Sequence, residues 1–322
     1  FINKINSFLN KTLFRMELQQ SYNKVLFSVL IANYNNAEFL DDAIESVINQ
    51  TYKTWEIIIV DDSSTDNSFD VLEKFKKTTN ITIYSNDINR GCGYTKNKCI
   101  QLAKGEIIGF LDPDDVLELN ALEVMVKMHE EMPNVSLISS KYKRINQDGS
   151  FFKFGTHGEQ IPSNKSLLSF NNGAVTHFAS FKRKFYNDHS QIDIELRSAV
   201  DLDLYLRLEE TGELHFINEY LYNYRESDKG ISQGSNFFNA RKSAVKVRKN
   251  AFKRRKKNRI KLDIAWGILQ KEEDLLIVDE IKIHAKRGLF FGKYKKLILG
   301  LLKYPHLNTK YKIKALVNPK FY

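Results

Sequence analysis

The chain has 322 residues, a formal net charge of +10 and two cysteines. Its length accommodates one large α/β domain with an appendage, or two domains. Cys92 and Cys99 form neither a disulfide framework nor a metal-binding spacing, which indicates a reducing compartment. No apolar run approaches the ~20 residues that a membrane-spanning helix needs, and the beginning of the chain shows no signal-peptide pattern. We therefore expect a cytoplasmic protein.

Apolar runs and helical patterns alternate through the first half of the chain. Residues 1–24 predict a short amphipathic helix, and apolar runs predict strands at 27–32, 56–60, 81–84, 107–111 and 135–139. Helices are expected from Ala37, from a cap on Thr65 or Asp66, after Gly91 with Gly105 just beyond the end, and from about Leu117. This alternation predicts βαβ crossovers and a doubly wound, mostly parallel, Rossmann-like sheet.

The pattern changes after residue 140. Residues 141–190 are rich in Asn, Ser, Gly and aromatic residues and show little periodicity. A helix over 199–210, ended by Gly212, and a two-stranded return over 214–217 and 220–224 are expected next. From residue 236 onward the pattern is helical and basic. We therefore divide the chain into the N-terminal helix, a domain of residues 25–235 and a basic helical extension of residues 236–322.

The positive charge is concentrated in that extension. Residues 241–322 contain 24 Lys and Arg against 6 Asp and Glu, whereas the other 240 residues contain 25 against 33. Basic residues alternating with apolar ones are typical of helices on an anionic membrane surface, so the protein would sit peripherally at the inner face of the cell membrane. The alternative is a solvated tail or a docking platform for another protein. Nucleic-acid binding is not expected, because no recognition motif accompanies the charge.

Polar residues follow three of the predicted strands. Asn33 and Tyr34 follow the first, Asp61 and Asp62 the second, and a cluster of three carboxylates, Asp112, Asp114 and Asp115, follows the fourth. Ligands of doubly wound sheets bind outside the carboxyl ends of the strands, so we expect these groups to converge. Carboxylates of this kind suit a hard divalent cation that also holds phosphate. The alternative interpretation is that these aspartates merely cap the helices that follow.

At these positions the chain resembles the inverting glycosyltransferases of family 2, which have the GT-A fold. The resemblance covers about residues 27–235, with residues 25–140 corresponding to the donor half and 141–235 to the acceptor half. Its motifs are Ser28–Asn36, Ile58–Asp66, Asn89–Gly91 with Asn97, Asp112–Asp115, Val200–Leu208 and Tyr224–Arg225. Two positions depart from the family pattern, because Val200 stands where Glu is usual and Lys96 where Arg is common.

The resemblance implies a role for each motif. Asp201 matches the catalytic base, and Asp114 matches the ligand of a divalent metal, Mn²⁺ or Mg²⁺. The positions that match donor-nucleotide contacts are Ala32, Tyr34, Asp61, Asp62, Asn89, Gly91, Lys96 and Asp112. Further site positions are Asp115, Asp203, Tyr224 and Arg225, although Asp203 also fits a structural partner of a basic side chain. The donor implied is a UDP-sugar, and the acceptor is a glycan or a lipid-linked glycan.

The chemistry implied is a single displacement at the anomeric carbon of a sugar. A metal neutralises the leaving phosphates as a Lewis acid, and a carboxylate takes the proton of the attacking hydroxyl. One base without a carboxylate nucleophile implies inversion. Two alternatives are a degenerate nucleotide-sugar-binding scaffold and a phosphotransferase of the haloacid-dehalogenase type with Asp112 as nucleophile. Against the latter, three βα units precede Asp112, whereas that class carries its nucleophile on the first strand.

Overall fold

The computed structural model of the chain describes residues 25–170, 173–187, 191–226, 237–286, 298–309 and 311–312. The predicted helix of residues 1–24 lies outside the described residues. The strands are β1 (Phe27–Asn33), β2 (Trp55–Asp61), β3 (Ile81–Ser85), β4 (Ile107–Phe110), β5 (Val116–Leu117), β6 (Val135–Ile145), β7 (Phe151–Phe154), β8 (Ala179–Lys182) and β9 (Glu213–Arg225). The helices are α1 (Ala37–Ile48), α2 (Ser68–Phe75), α3 (Cys92–Leu102), α4 (Ala121–Glu131), α5 (Val200–Glu209), α6 (Phe237–Lys257) and α7 (Trp266–Lys286).

The described strands form one sheet in the order β3-β2-β1-β4-β8-β6-β9-β5, with β7 paired to β6. The first four of these run parallel and are joined through α1, α2 and α3. Their apolar runs are buried because helices cover both faces, as parallel sheets require. The doubly wound α/β fold predicted from the sequence is confirmed.

The other half of the sheet mixes directions. β8 runs antiparallel to both β4 and β6, and β9 runs parallel to β6. The predicted two-stranded return over 214–217 and 220–224 is wrong, since both segments belong to the single strand β9. Asn218 and Glu219 are extra residues in the register between Ile217 and Tyr220, so they form a bulge rather than a turn.

Two of the predicted helix caps are also wrong. α2 begins after Asn67, and the carboxylate of Asp66 instead accepts hydrogen bonds from the backbone N–H groups of Ala37 (2.9 Å) and Ser68 (3.0 Å), one in α1 and one in α2. α4 begins after Asn120, so none of the three carboxylates in the Asp112–Asp115 turn caps it. Gly105 is not a helix cap either. A Cβ there would lie 2.5 Å from Ser28 Oγ, so that the close approach of β1 excludes a side chain.

The basic helix α6 packs between α5 and α7. Its inward-facing basic side chains form ion pairs with carboxylates of both helices, including Arg254–Glu210 (2.6 Å), Lys249–Glu273 (2.6 Å) and Arg255–Glu209. Many of its basic side chains are therefore paired with carboxylates of the same protein. Among the helices in the described ranges, none combines the length and apolarity needed to cross a membrane.

Candidate active site

The carboxyl ends of β1 and β2 lie side by side, as predicted. The register pairs Asn33 with Asp61, and Asn33 Nδ2 donates a hydrogen bond of 2.7 Å to Asp61 Oδ1. Ser64 Oγ donates to the same oxygen at 2.6 Å. Asn33 Oδ1 is buried and has no hydrogen-bond partner within the described residues. Ala32 is half-buried at this edge, and Tyr34 beyond it is 46 % exposed. At this edge Asn33 and Asp61 are therefore buried and hold the two strand ends together, whereas Tyr34 is accessible to a ligand.

Asp62 stabilises the neighbouring loop. Its carboxylate accepts hydrogen bonds from Asn86 Nδ2 (2.7 Å) and from the backbone N–H groups of Arg90 (2.8 Å) and Gly91 (2.7 Å). Gly91 has φ +90°, a conformation that a side chain would strain, and it directly precedes α3. Asn89 is exposed on the same loop. In this arrangement Asp62 fixes the loop that precedes α3.

Lys96 lies between two predicted functional carboxylates. Its ammonium donates to Asp201 Oδ1 at 2.6 Å, lies 3.6 Å from Asp112 Oδ1 and sits 4.8 Å from the centre of the Phe110 ring. Burial disfavours the charged ammonium, but the carboxylates of Asp201 and Asp112 outweigh burial, so the pKa of Lys96 is raised well above its usual value. These groups line a cavity of about 290 Å³ that Tyr142 also lines.

The turn that carries Asp114 and Asp115 is held by the end of β9. Tyr222 Oη donates to Asp115 Oδ2 at 2.7 Å, and the backbone N–H of Arg225 donates to Asp115 Oδ1 at 2.7 Å. Arg225 Nε donates to the carbonyl of Asp114 at 2.8 Å. Burial and then Asp112 raise the pKa of Asp114 to about 6, and burial followed by Asp114 and Asp112 raises the pKa of Asp115 well above its usual value. A cation among these carboxylates would relieve both effects.

His177 completes a group that could hold a metal. Ligand atoms of Asp112, Asp115 and His177 lie within 4.8 Å of one another, and Asp114 is not part of this group in the described residues. The imidazole stacks on Tyr224, with ring centres 4.2 Å apart and planes 24° apart. The sequence reasoning missed His177, because a lone histidine before a short apolar strand carries no motif.

Asp203 does not face the cavity. It is buried and forms an ion pair of 2.7 Å with Arg207, one turn further along α5. Asp201, two residues earlier, keeps 44 % of its side chain exposed. The same helix therefore carries one carboxylate that is accessible to a ligand and one that stabilises the helix.

Comparison with known proteins identifies the family. The profile described as "Glycosyl transferase family 2" matches residues 28–190. The chain is 29% identical over 199 residues to the chondroitin synthase of Pasteurella multocida. The matched segment covers 62% of this chain and 20% of that protein. It is 30% identical over 213 residues to the putative teichuronic acid biosynthesis glycosyltransferase TuaG of Bacillus subtilis, covering 65% of this chain and 82% of that protein.

A solved structure shows the same fold. The chain superposes on TarS 1–349 of S. aureus in complex with UDP-GlcNAc with a TM-score of 0.60 at 16% identity, covering 90% of this chain and 83% of that one. The GT-A fold predicted from the motifs is confirmed. The chain spans between a fifth and about a quarter of the length of the first curated relatives that it matches. The match through the Asp112–Asp115 turn argues against a dehalogenase-type phosphotransferase, and this chain belongs to glycosyl transferase family 2.

Proposed function

We propose that the chain transfers a sugar from a nucleotide-sugar donor, a UDP-sugar, to a hydroxyl group of a glycan or lipid-linked glycan, with inversion. One observation supports this above all. Asp201, from the acceptor half, and Asp112, from the donor half, face one cavity on either side of Lys96. We further propose that residues 25–235 form the catalytic unit. The naming of the relatives for polysaccharide synthesis supports a glycan as acceptor.

Asp201 is the proposed general base. Lys96 occupies its Oδ1, so Oδ2 is the atom available to take the proton of the acceptor hydroxyl. The hydroxyl oxygen forms a bond to the anomeric carbon while the bond from that carbon to the phosphate oxygen breaks, and the electron pair leaves with the nucleoside diphosphate. The charge of Lys96 stabilises negative charge that develops on the leaving phosphates. Attack from the side opposite the leaving group inverts the configuration.

The residues at the turn fit a divalent metal. Two carboxylates and one imidazole form a donor set that suits Mn²⁺, whereas oxygen ligands alone suit Mg²⁺. Asp112, Asp115 and His177 would hold the ion, and Asp114, the ligand implied by family resemblance, is the competing assignment. When bound, such an ion supplies Lewis-acid stabilisation to the phosphates. The raised pKa of Asp114 and Asp115 supports a cation at this place.

The donor assignment rests on the family resemblance and on the structural neighbour. TarS 1–349, which has the same fold, was solved in complex with UDP-GlcNAc and with UDP. This likeness supports a uridine nucleotide as the carrier.

Thermal stability with UDP, GDP, dTDP and CMP, each with and without Mn²⁺, tests this proposal. Ligand at 100 times its Kd stabilises the folded state by about 2.7 kcal/mol, which shifts the midpoint of a domain of this size by roughly 5–10 °C. We expect a Mn²⁺-dependent shift with UDP. The absence of a shift with any of the four nucleotides would contradict the proposal.

A peripheral membrane position is a separate proposal. Lys246, Lys253 and Lys257 are exposed, and their spacing places them on one side of α6. Such a stripe attracts anionic lipid. If the full chain does not sediment with vesicles that contain phosphatidylglycerol, this proposal is wrong.

A further inference from the structure

A second groove lies on the opposite face of the sheet from the catalytic cavity. It has a volume of about 730 Å³ and lies between α1 and the β6–β7 hairpin. Successive side chains of a strand point to opposite faces, so Tyr142 lines the catalytic cavity whereas Lys143 lines the groove. On β9, Tyr224 stacks on His177 whereas Asn223 lines the groove. β6 and β9 therefore direct side chains toward the catalytic cavity on one face of the sheet and toward the groove on the other face.

A bulge in the hairpin places two phenylalanines on the groove face. The register pairs Lys143 with Phe154 and Ile145 with Phe151, and it leaves Phe152 as the extra residue. Three residues apart on a regular strand, Phe151 and Phe154 would point to opposite faces. The bulge removes that difference, and their ring centres lie 5.1 Å apart. The irregularity thus builds a continuous aromatic surface.

This aromatic surface is open to solvent. Phe151 and Phe154 are each 54 % exposed, and the row continues to Tyr220, whose ring centre is 4.7 Å from that of Phe154. Lys141 lies 5.4 Å from the centre of the Tyr220 ring. One face of a pyranose carries C–H groups with partial positive charge, which pack on the negative face of an aromatic ring. Two exposed rings in the groove, with the half-buried Tyr220 beside them, therefore fit a chain of sugar units.

The opposite wall supplies hydrogen-bonding groups. It presents the carboxylates of Asp42, Glu45 and Glu118, which accept hydrogen bonds from sugar hydroxyl groups. Two of these carboxylates already have basic partners, Arg225 to Asp42 at 2.8 Å and Lys143 to Glu118 at 2.7 Å. The groove is thus close to neutral, with a slight negative excess. This charge favours a neutral polyhydroxyl ligand and disfavours an anionic lipid surface.

We propose that this groove binds a short neutral oligosaccharide, a stretch of the acceptor glycan remote from the reacting end. The proposal rests on the proposed transferase function, because that reaction would supply the ligand. Its volume lies within the range of ordinary small-ligand pockets. Arg225 connects the groove to the active site, since its guanidinium pairs with Asp42 in the groove and donates to the carbonyl of Asp114.

Calorimetric titration and saturation-transfer NMR with cellotriose and triacetylchitotriose test the proposal. We expect at least one of these trisaccharides to bind the full chain. Phe154→Ala should weaken that binding about tenfold, because it removes one stacking surface. Phe152→Ala is the matched control, since Phe152 lies on the same strand at 49 % exposure but outside the groove, and it should leave the affinity unchanged. Circular dichroism confirms that both variants fold.

Two outcomes would overturn the proposal. One is an absence of binding to either trisaccharide at about 10 mM, which lies tenfold above a millimolar Kd. The other is an equal loss of affinity in Phe152→Ala and Phe154→Ala. If the two phenylalanines instead govern sedimentation with phosphatidylglycerol vesicles while no trisaccharide binds, the groove faces lipid and the proposal is wrong. The UDP stability shift reports separately on the transferase proposal, since the two residues that are changed, Phe152 and Phe154, belong to β7 and not to the Asp112–Asp115 turn or the ends of β1 and β2.

Discussion

The Lys96 ammonium lies 2.6 Å from the carboxylate of Asp201, although the two residues are 105 positions apart in the sequence. Lys96 belongs to α3 in the parallel half, and Asp201 belongs to the first turn of α5. A buried cation of this kind is stable only while its carboxylate partners remain, because burial alone would drive off its proton. The contact therefore fixes the proposed base relative to the phosphate side of the cavity.

We expect Asp201→Asn to lower turnover by about 10²–10⁴-fold, the usual contribution of a general base. The amide cannot accept the proton, yet it preserves the shape of the side chain and a hydrogen bond to Lys96. The UDP-dependent thermal shift should therefore persist. Product formation from a UDP-sugar panel, measured beside that shift, checks both halves of the prediction. If the variant keeps most of its turnover, Asp201 is not the base. If the wild-type protein binds UDP but forms no product with any sugar donor, the scaffold alternative is favoured.

Two assignments of the metal ligands compete. One is the group of Asp112, Asp115 and His177, and the other is Asp114. If Asp112, Asp115 and His177 hold the ion, His177→Ala should raise the Mn²⁺ concentration for half-maximal UDP stabilisation by about 100-fold or more, since losing even a hydrogen-bond partner of a metal ligand typically costs about 10–100-fold in affinity. The family-based assignment predicts instead that Asp114→Ala abolishes Mn²⁺-dependent UDP binding. Titrations of Mn²⁺ at fixed UDP, followed by thermal stability, measure both variants.

His157→Ala is the matched control for the metal titration. His157 lines the same cavity as His177, but it is not a member of the ligand group. Its variant should titrate with Mn²⁺ like the wild type. An unchanged titration in His177→Ala would contradict a ligand role for this imidazole, and an unchanged titration in Asp114→Ala would remove that aspartate.

Much of the parallel half was predictable from the sequence, and the acceptor half was not. β1 and β2 contain the apolar runs 29–32 and 57–60, which end at Asn33 and Asp61, so both the strands and the convergence of their polar ends follow from local patterns. His177 and Tyr222 reach the site through β8 and β9, whose pairings join segments far apart in the sequence. No local periodicity encodes such pairings. The bulge that turns Phe151 toward the groove also cannot be predicted from the alternation of apolar and polar residues in a strand.

From the ion pairs of α6 we predict that its buried arginines contribute more to the free energy of unfolding than its exposed lysines do. Arg255→Met should lower the free energy of unfolding by about 3 kcal/mol, because it leaves the Glu209 carboxylate, 14 % exposed, without its cation. Lys257→Met, at an exposed position, should change it by less than about 0.5 kcal/mol. Urea unfolding followed by circular dichroism gives both values. Equal effects in the two variants would show that α6 is not held by its buried pairs.

His129 predicts how stability depends on pH. It is buried in α4, where its Nε2 lies 3.0 Å from Ser180 Oγ. Burial, and next the charge of Lys182, lower its pKa to about 3. Below the unfolded pKa of about 6.5 the unfolded chain binds a proton that the folded chain does not, so this residue reduces stability as the pH falls toward 3. Between pH 7 and 5 the loss amounts to about 2 kcal/mol.

His129→Gln should therefore lose about 2 kcal/mol less than the wild type when the pH falls from 7 to 5, since glutamine does not titrate. Its amide can still hydrogen-bond Ser180, which limits the cost of the substitution itself. Urea unfolding at both pH values measures the difference, and taking the difference between proteins cancels the contribution of the carboxylates. His306→Gln, at an exposed position, should follow the wild type. A His129→Gln variant with the wild-type slope would show that the imidazole accepts its proton within the fold, and that α4 can move away from β8 to admit water.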